Sequence, residues 1–427
     1  MSKKRTDTTI WTLMHKNIPV ADLEIVANAG TILNVGHIHN INHAPIGTLD
    51  QKDRVHKIRT WFVDRTISSN RQNLNQRNFY DDLGFTGPTA LSLKNHGLSL
   101  ADQYWLKPVN QMITWESINF FKNGFNPDIG DVLFQKKKAT DDNINLNAPD
   151  ITTDGWLQKR WVIQNGKQIL LKAGSDLFEQ ETYNEEIATN ILKKLNIRHT
   201  PYWVEFLGDK PYSLCENFIN ENTDLVTAWR VLNSKKKANH DSNYQHLIKR
   251  CKELGIGDMR LQLEQMIVID CIIANTDRHW GNFGFIRNAD TLEWQGFAPI
   301  YDNGTSLWHN SENTSIHVES RAFKKSHREQ LNLINDLSWF EPISENDLSE
   351  IITNTLSKHP TMSEERIEKL ITAVNRQMEY VTQRKQKLTS KAIAVNAIEV
   401  QDHLANEPTV LNQVAPNDKN SNKGESS

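Results

Sequence analysis

Hydrophobic and polar positions follow two different patterns along this chain. In the first half, short apolar runs are separated by turn residues, and the two runs around Asn165-Gly166 are typical of a β-hairpin with a two-residue turn. In the second half, apolar positions recur at helical spacing, with one buried stripe predicted for a helix from about Thr361 to Val381. The pattern therefore predicts an α+β fold in which a β-rich region precedes a mostly helical region.

Composition and turn signals divide the chain into four segments. Residues 1–145 predict short strands and helices, without a motif that identifies a function. Residues 146–220 predict two strand pairs and a helix, and residues 221–390 predict mainly helices. Residues 391–427 are rich in Asn, Ser, Lys and Pro, and we expect them to be disordered. The polar stretch 136–154 is predicted to be a linker or mobile loop.

Charge and cysteine content narrow the class of protein. With 49 Lys and Arg against 52 Asp and Glu, the net charge of −3 provides no global basic field, so we expect no direct binding of nucleic acid. The cysteines Cys215, Cys251 and Cys271 lack metal-binding spacing, which favours a reducing, cytoplasmic location. No stretch is apolar enough to span a membrane. His37 and His39 are interpreted as strand or turn surface rather than as a metal site.

The segment from Ile272 to Gly304 carries the clearest chemical pattern. Asp277, His279 and Asn282 follow an apolar run, and Asp302 returns after two strand-like segments. Phosphoryl transfer needs a carboxylate that orients the attacking hydroxyl, together with an amide oxygen and a second carboxylate that bind Mg²⁺. Asp277 and Asn282 alone are also typical of an ordinary turn with Asx hydrogen bonds. The addition of Asp302 favours phosphoryl transfer.

The two segments NTDRHWGNFGF and APIYDNG resemble the HipA-like kinases, a family related to protein kinases. The resemblance implies a two-lobed protein-kinase-like fold, ATP and Mg²⁺ as cofactors, and transfer of phosphate to a Ser or Thr hydroxyl of a protein substrate. In this interpretation Asp277 orients the hydroxyl, while Asn282 and Asp302 bind Mg²⁺. His279 would either support the loop or take part in the chemistry.

Residues upstream of this segment have the spacing of a nucleotide-binding lobe. Lys172 ends an apolar strand, which suits a lysine that contacts the α- and β-phosphates of ATP. Glu185 lies in the next predicted helix and could pair with Lys172, as could the neighbouring Glu186. Residues Cys215 to Phe218 are our prediction for the segment that contacts adenine.

The sequence Thr152-x-x-Gly155-x-x-x-Lys159 is similar to a Ser-x-x-Gly-x-x-x-Lys loop of HipA-like proteins. The resemblance implies that Gly155 and Lys159 contact the nucleotide, and that Thr152 is a regulatory autophosphorylation site. Thr153 is an adjacent alternative for the modified residue.

Two other functions fit the same residues. The pattern D-R-H-x-x-N followed by D-x-G also resembles phosphoinositide kinases, so a lipid or small-molecule kinase is one alternative. A pseudokinase scaffold without activity is the other. HipA-like proteins often belong to toxin–antitoxin systems, so the resemblance also implies a toxin role and a small helix-turn-helix antitoxin as a partner.

Overall fold

The computed structural model describes residues 7–49, 52–67, 76–141, 143–153, 155, 157–175, 179–314 and 319–405. The strands are β1 Thr8–His15, β2 Ile18–Val26, β3 Thr31–Ile38, β4 Tyr104–Pro108, β5 Lys159–Gln164, β6 Lys167–Ala173, β7 Tyr202–Leu207, β8 Lys210–Glu216, β9 Thr223–Thr227, β10 Gly284–Asn288 and β11 Trp294–Phe297. The helices are α1 Arg54–Val63, α2 Gln76–Asp82, α3 Pro88–Lys94, α4 Trp115–Ile118, α5 Asp128–Leu133, α6 Gln180–Lys194, α7 Ala228–Asn233, α8 Asn243–Glu253, α9 Arg260–Ile272, α10 His327–Leu331, α11 Glu345–Leu356 and α12 Glu364–Ala405.

The first sheet has the antiparallel order β3-β2-β1-β4 and packs one face against α1. Its apolar positions alternate along the strands, so that Leu23 and Ile25 of β2 are fully buried on the same face. The partly apolar run at residues 44–49 forms turns rather than a further strand. Pro45 lacks a backbone N–H and Gly47 has a φ of 71°, and both features oppose a regular strand.

The second sheet, β5-β6-β8-β7, is built from the two predicted strand pairs. Asn165 and Gly166 have φ angles of 52° and 75°, and a two-residue hairpin turn of the predicted kind requires positive φ at both positions. The hairpin register places Lys159 opposite Lys172. Helix α6 packs on this sheet, which brings its acidic side chains to the end of β6.

The remaining chain forms the third sheet, β11-β10-β9, and a helical core around the buried helix α9. The predicted order along the chain, a β-rich region followed by a helical region, is therefore confirmed. Among the described residues, no helix combines the length and apolar character that crossing a bilayer requires.

Two expectations about irregular segments were wrong. Residues 391–405 belong to α12, because its helical pattern continues past the apolar stripe, while residues 406–427 lie outside the described region of the chain. Within the expected linker, Pro149–Thr152 forms a buried 3₁₀-helix rather than a mobile loop. Buried hydrogen bonds hold this turn, since Asn95 Nδ2 donates to the Ala148 carbonyl at 3.0 Å.

The first sheet joins the third through a buried polar cluster. His15 Nε2 of β1 lies 3.0 Å from Asp224 Oδ2 of β9, and Arg287 of β10 donates to the same carboxylate at 3.2 Å. Arg287 also donates to the Tyr104 hydroxyl of β4 at 2.8 Å, and His43 Nδ1 lies 2.8 Å from His15 Nδ1. Although burial raises the pKa of Asp224, the charges of His15 and Arg287 keep it below its ordinary value. The front of the chain is thereby tied to the strand that follows Asn282.

Candidate active site

Lys172 lies at the centre of a buried charge cluster. Its Nζ is 2.8 Å from Glu185 Oε1 and 2.7 Å from Asp302 Oδ1, and the Tyr202 hydroxyl is 3.4 Å away. Burial opposes the charge on Lys172, but the two carboxylates outweigh it and hold the pKa well above its ordinary value. Glu186 is directed elsewhere, since it pairs with Lys358 at 2.5 Å. The structure therefore places Glu185, and not Glu186, beside Lys172.

Asp302 has an uncommon backbone conformation, with a φ of 60°. The next residue holds it in place, because the Asn303 N–H donates to Glu185 Oε2 at 2.9 Å. Burial raises the pKa of Asp302, yet the charges of Lys172 and Lys159 overcome this and hold the pKa well below its usual range. Its side chain is 32% exposed, so the ionised carboxylate is partly accessible from outside the cluster.

The loop from Asp277 to Asn282 presents the other predicted groups. The pKa of Asp277 is raised above its ordinary value. Burial is the largest cause and the charge of Asp302 adds to it, while His279 and Arg321 act in the opposite direction. Asn282 Nδ2 donates to the Asp277 carbonyl at 3.0 Å, which leaves the amide oxygen as the atom that can bind a metal. His279 supports the loop, because its backbone N–H donates to the Asp277 carbonyl and its Nδ1 accepts from the Gly281 N–H.

Arg278 connects the two loops that carry the acids. Its buried guanidinium pairs with Asp270 of α9 at 3.0 Å. Nη1 donates to the carbonyls of Asn282 at 2.8 Å and Tyr301 at 2.6 Å, and Nη2 donates to Asn303 Oδ1 at 2.6 Å. These contacts show that Arg278 supports the two loops. This single side chain sets the spacing between the residues beside Asp277 and those beside Asp302.

The loop before β5 places Lys159 near Asp302 and turns Thr152 away. Gly155 has a φ of 115°, and a Cβ there would lie 2.1 Å from Lys159 Nζ, so a side chain at this position would displace the lysine. Thr152 is buried, and its hydroxyl donates to the Leu98 carbonyl at 2.5 Å. The hydroxyl of Thr153 donates to the Pro149 carbonyl at 2.8 Å.

Asp302 and Asn282 offer oxygen ligands of the kind that Mg²⁺ prefers. Within the described residues, no group of three or more His, Cys, Asp and Glu side chains could hold a metal ion. An ionised carboxylate at Asp302 and an amide oxygen at Asn282 match the one or two protein ligands that Mg²⁺ takes when phosphates supply the others. The predicted adenine segment adjoins this site, since the Phe218 ring lies 5.3 Å from that of Tyr301.

Comparison with known protein families identifies the family to which this chain belongs. The HipA-like C-terminal domain matches residues 135–379, more than half of the chain. The chain belongs to the HipA-like family. The matched region contains the charge cluster around Lys172 and both acidic loops, while the whole first sheet and helices α1 to α5 lie outside it.

This HipA-like protein is similar to two further characterised proteins. It is 25% identical over 132 residues to the serine/threonine-protein kinase CtkA of Helicobacter pylori, a match that spans 30% of this chain and only 40% of that relative. The crystal structure of CtkA aligns at 20% identity with a TM-score of 0.47, covering 55% of this chain and 95% of CtkA.

HipA of Shewanella oneidensis MR-1, solved with HipB and its operator DNA, aligns at 13% identity with a TM-score of 0.52. The alignment covers 88% of this chain and 99% of that HipA, which supports a common fold along most of the molecule. The predicted α+β, two-lobed protein-kinase-like fold is therefore confirmed.

Local sequence patterns did not indicate three residues of the site. Arg321 approaches Asp277 from 44 positions away, and no local pattern indicates such a contact. Tyr202 looks like any aromatic residue that begins a strand. Asp270 carried a usable signal, because a lone acid inside the apolar run of α9 must have a buried partner.

Proposed function

We propose that this protein is an ATP- and Mg²⁺-dependent kinase that phosphorylates a Ser or Thr hydroxyl of a protein. The observation that carries the proposal is the position of Lys172 between Glu185 and Asp302, in a cluster linked through Arg278 to the Asp277 loop. A buried lysine held between two acids is costly to desolvate, and such perturbed groups concentrate at functional sites.

Each residue has a distinct role in the proposed reaction. Lys172 neutralises the α- and β-phosphates of ATP, so nucleotide binding must replace its contact with Asp302 while Glu185 keeps it oriented. Mg²⁺, held by Asn282 and Asp302, would neutralise the charge that develops on the transferred group. Asp277 accepts the proton of the attacking hydroxyl, a role that its raised pKa favours.

We also propose an antitoxin partner for this chain. The Shewanella structure contains HipB together with HipA, which supports an antitoxin partner and a toxin role for this HipA-like chain. The family match begins at residue 135, so it does not include the first sheet.

Transfer of labelled phosphate from ATP to the proteins of a cell lysate tests the proposed activity. We expect the wild type to label protein and the Asp277→Ala variant to lose most of this labelling, because alanine cannot accept the proton of the attacking hydroxyl. Equal labelling by both proteins would refute the assignment of Asp277. Label in the lipid or small-molecule fraction alone would favour the alternative kinase class, and no transfer at all would favour a scaffold.

We further propose that Thr152 is an autophosphorylation site that controls the enzyme. The Thr152 hydroxyl donates to the Leu98 carbonyl, whereas a phosphate presents only acceptor oxygens and negative charge to that carbonyl. The phosphorylated turn therefore cannot return to its buried position. Such a change would withdraw Gly155 and Lys159 from the nucleotide.

Intact mass after incubation with ATP measures this modification. We expect one phosphate on the wild type, none on Thr152→Ala, and an unchanged count on the neighbouring Thr153→Ala. An unchanged phosphate count in Thr152→Ala would exclude this residue as the site.

A further inference from the structure

A short hairpin with a basic tip lies beside the proposed catalytic base. Residues 319–326, which we name the basic hairpin, are closed by a bridge between Glu319 and Ser326 and by a 2.7 Å hydrogen bond from the Ser320 N–H to the Lys325 carbonyl. Arg321, Lys324 and Lys325 are exposed on it. Because the whole chain has a net charge of −3, this positive charge is a local feature.

An aromatic side chain anchors the basic hairpin to the catalytic loop. The Phe323 ring lies 5.1 Å from the Trp280 ring in an edge-on arrangement, and 5.1 Å from the Tyr244 ring of α8. Trp280 belongs to the loop between Asp277 and Asn282. The anchor therefore holds the basic side chains at a defined place relative to the base, as edge-to-face pairs do.

Arg321 forms an ion pair with Asp277, the proposed catalytic base. Its Nη1 lies 2.9 Å from Asp277 Oδ1, although the arginine side chain is 65% exposed. Exposed ion pairs are weak because water competes for both charges, so another carboxylate can take over this arginine at little cost. While Arg321 stays on Asp277, it stands in the way of a substrate hydroxyl that approaches the same oxygen.

We propose that the basic hairpin selects protein substrates that carry Asp or Glu next to the acceptor Ser or Thr. The substrate carboxylate draws Arg321 away from Asp277, and Lys324 and Lys325 bind further acidic residues. The base is then free to accept the hydroxyl proton. This inference rests on the proposed kinase function and defines its substrate class.

An acidic protein fits the basic hairpin better than a membrane surface does. The aromatic residue of the hairpin is packed inward on Trp280, whereas membrane-binding segments direct apolar side chains into the lipid. The ion pair with Asp277 also requires a partner that delivers its acid directly to the catalytic loop.

A peptide library made from dephosphorylated lysate, followed by mapping of the phosphorylated sites, tests the proposal. The full-length wild type should favour sites with neighbouring Asp or Glu by about tenfold over sites without them, since a few exposed ion pairs sum to this factor. The double variant Lys324→Gln/Lys325→Gln should lose most of the preference. The control Lys193→Gln/Lys210→Gln removes two exposed charges elsewhere and should keep it.

The outcomes separate the two levels of the proposal. Labelled peptides without an acidic preference, or a preference that the hairpin variant retains, would overturn the inference and leave the kinase function standing. An unlabelled library beside labelled intact proteins would also overturn it, because recognition then lies outside the neighbouring sequence. Absence of label on any protein would overturn the kinase function. Hairpin-dependent sedimentation with phosphatidylserine vesicles, without acidic preference, would assign the hairpin to membranes.

Discussion

Replacing Asp302 by Asn is expected to abolish phosphate transfer while the fold stays intact. The amide keeps the shape of the carboxylate but removes the negative charge that pairs with Lys172 and that, in the proposed reaction, would bind Mg²⁺. Stabilisation of charge on the transferred group is the main catalytic contribution, so we expect a loss of about a thousandfold in turnover. Lys172 keeps its pairing with the buried Glu185, so the interior does not acquire an unpaired charge.

Steady-state transfer from ATP and the thermal unfolding midpoint should be measured on the same preparations. Asp290→Asn is the matched control, because Asp290 also pairs with a lysine, Lys16, at 2.7 Å but is 56% exposed and lies at the far end of β10. We expect the control to retain full activity. Activity retained by Asp302→Asn would remove the assignment of this residue.

The Asp270→Asn variant is expected to be unstable, with a loss of about 3 to 5 kcal/mol in the free energy of unfolding. Asp270 is the only carboxylate that hydrogen-bonds the guanidinium of Arg278 among the described residues, and both side chains are at least 97% buried. The substitution leaves the arginine charge buried without its hydrogen-bonded counter-charge. Because Arg278 spans both acidic loops, activity should fall even at temperatures where the variant stays folded.

Urea unfolding of the wild type and variant checks this expectation. Asp258→Asn serves as the control, since the Asp258 pair with Arg260 has a similar 3.1 Å separation but both side chains are about 60% exposed. We expect little loss from the control, as is general for exposed pairs. If Asp270→Asn lowered the free energy of unfolding no more than the control does, the pair between Asp270 and Arg278 would not stabilise the two loops.

The sequence predicted those elements of the fold that local patterns determine. Asn165 and Gly166 specify their hairpin because few other residues adopt positive φ twice in succession. The predicted end of the last helix was wrong, because the Asn-, Ser-, Lys- and Pro-rich composition belongs to residues 406–427, whereas residues 391–405 are rich in alanine and aliphatic residues and form part of the helix. The 3₁₀ turn at Pro149–Thr152 was missed because its stability comes from contacts with residues such as Leu98, far away in sequence.

The same limit applies to the site. The spacing of Asp277, Asn282 and Asp302 follows from loop chemistry and is visible in the sequence. Glu185 and Glu186 are indistinguishable there, because one step along a helix turns a side chain by about 100° and only the packed structure selects the direction. Arg321 depends on how a distant hairpin packs on Trp280, which no local pattern encodes.

The junction between His15 and Asp224 has a practical consequence for dissecting this protein. A fragment cut at the start of the family match, residue 135, would lack His15, and also Tyr104, the residue that bonds Arg287. Asp224 and Arg287 would then be exposed to solvent on the third sheet, whose strand β10 directly follows the Asn282 loop. The amino-terminal third thus contributes buried contacts to the sheet next to the candidate site. A truncation that removes it would destabilise the region that a shorter fragment is meant to preserve.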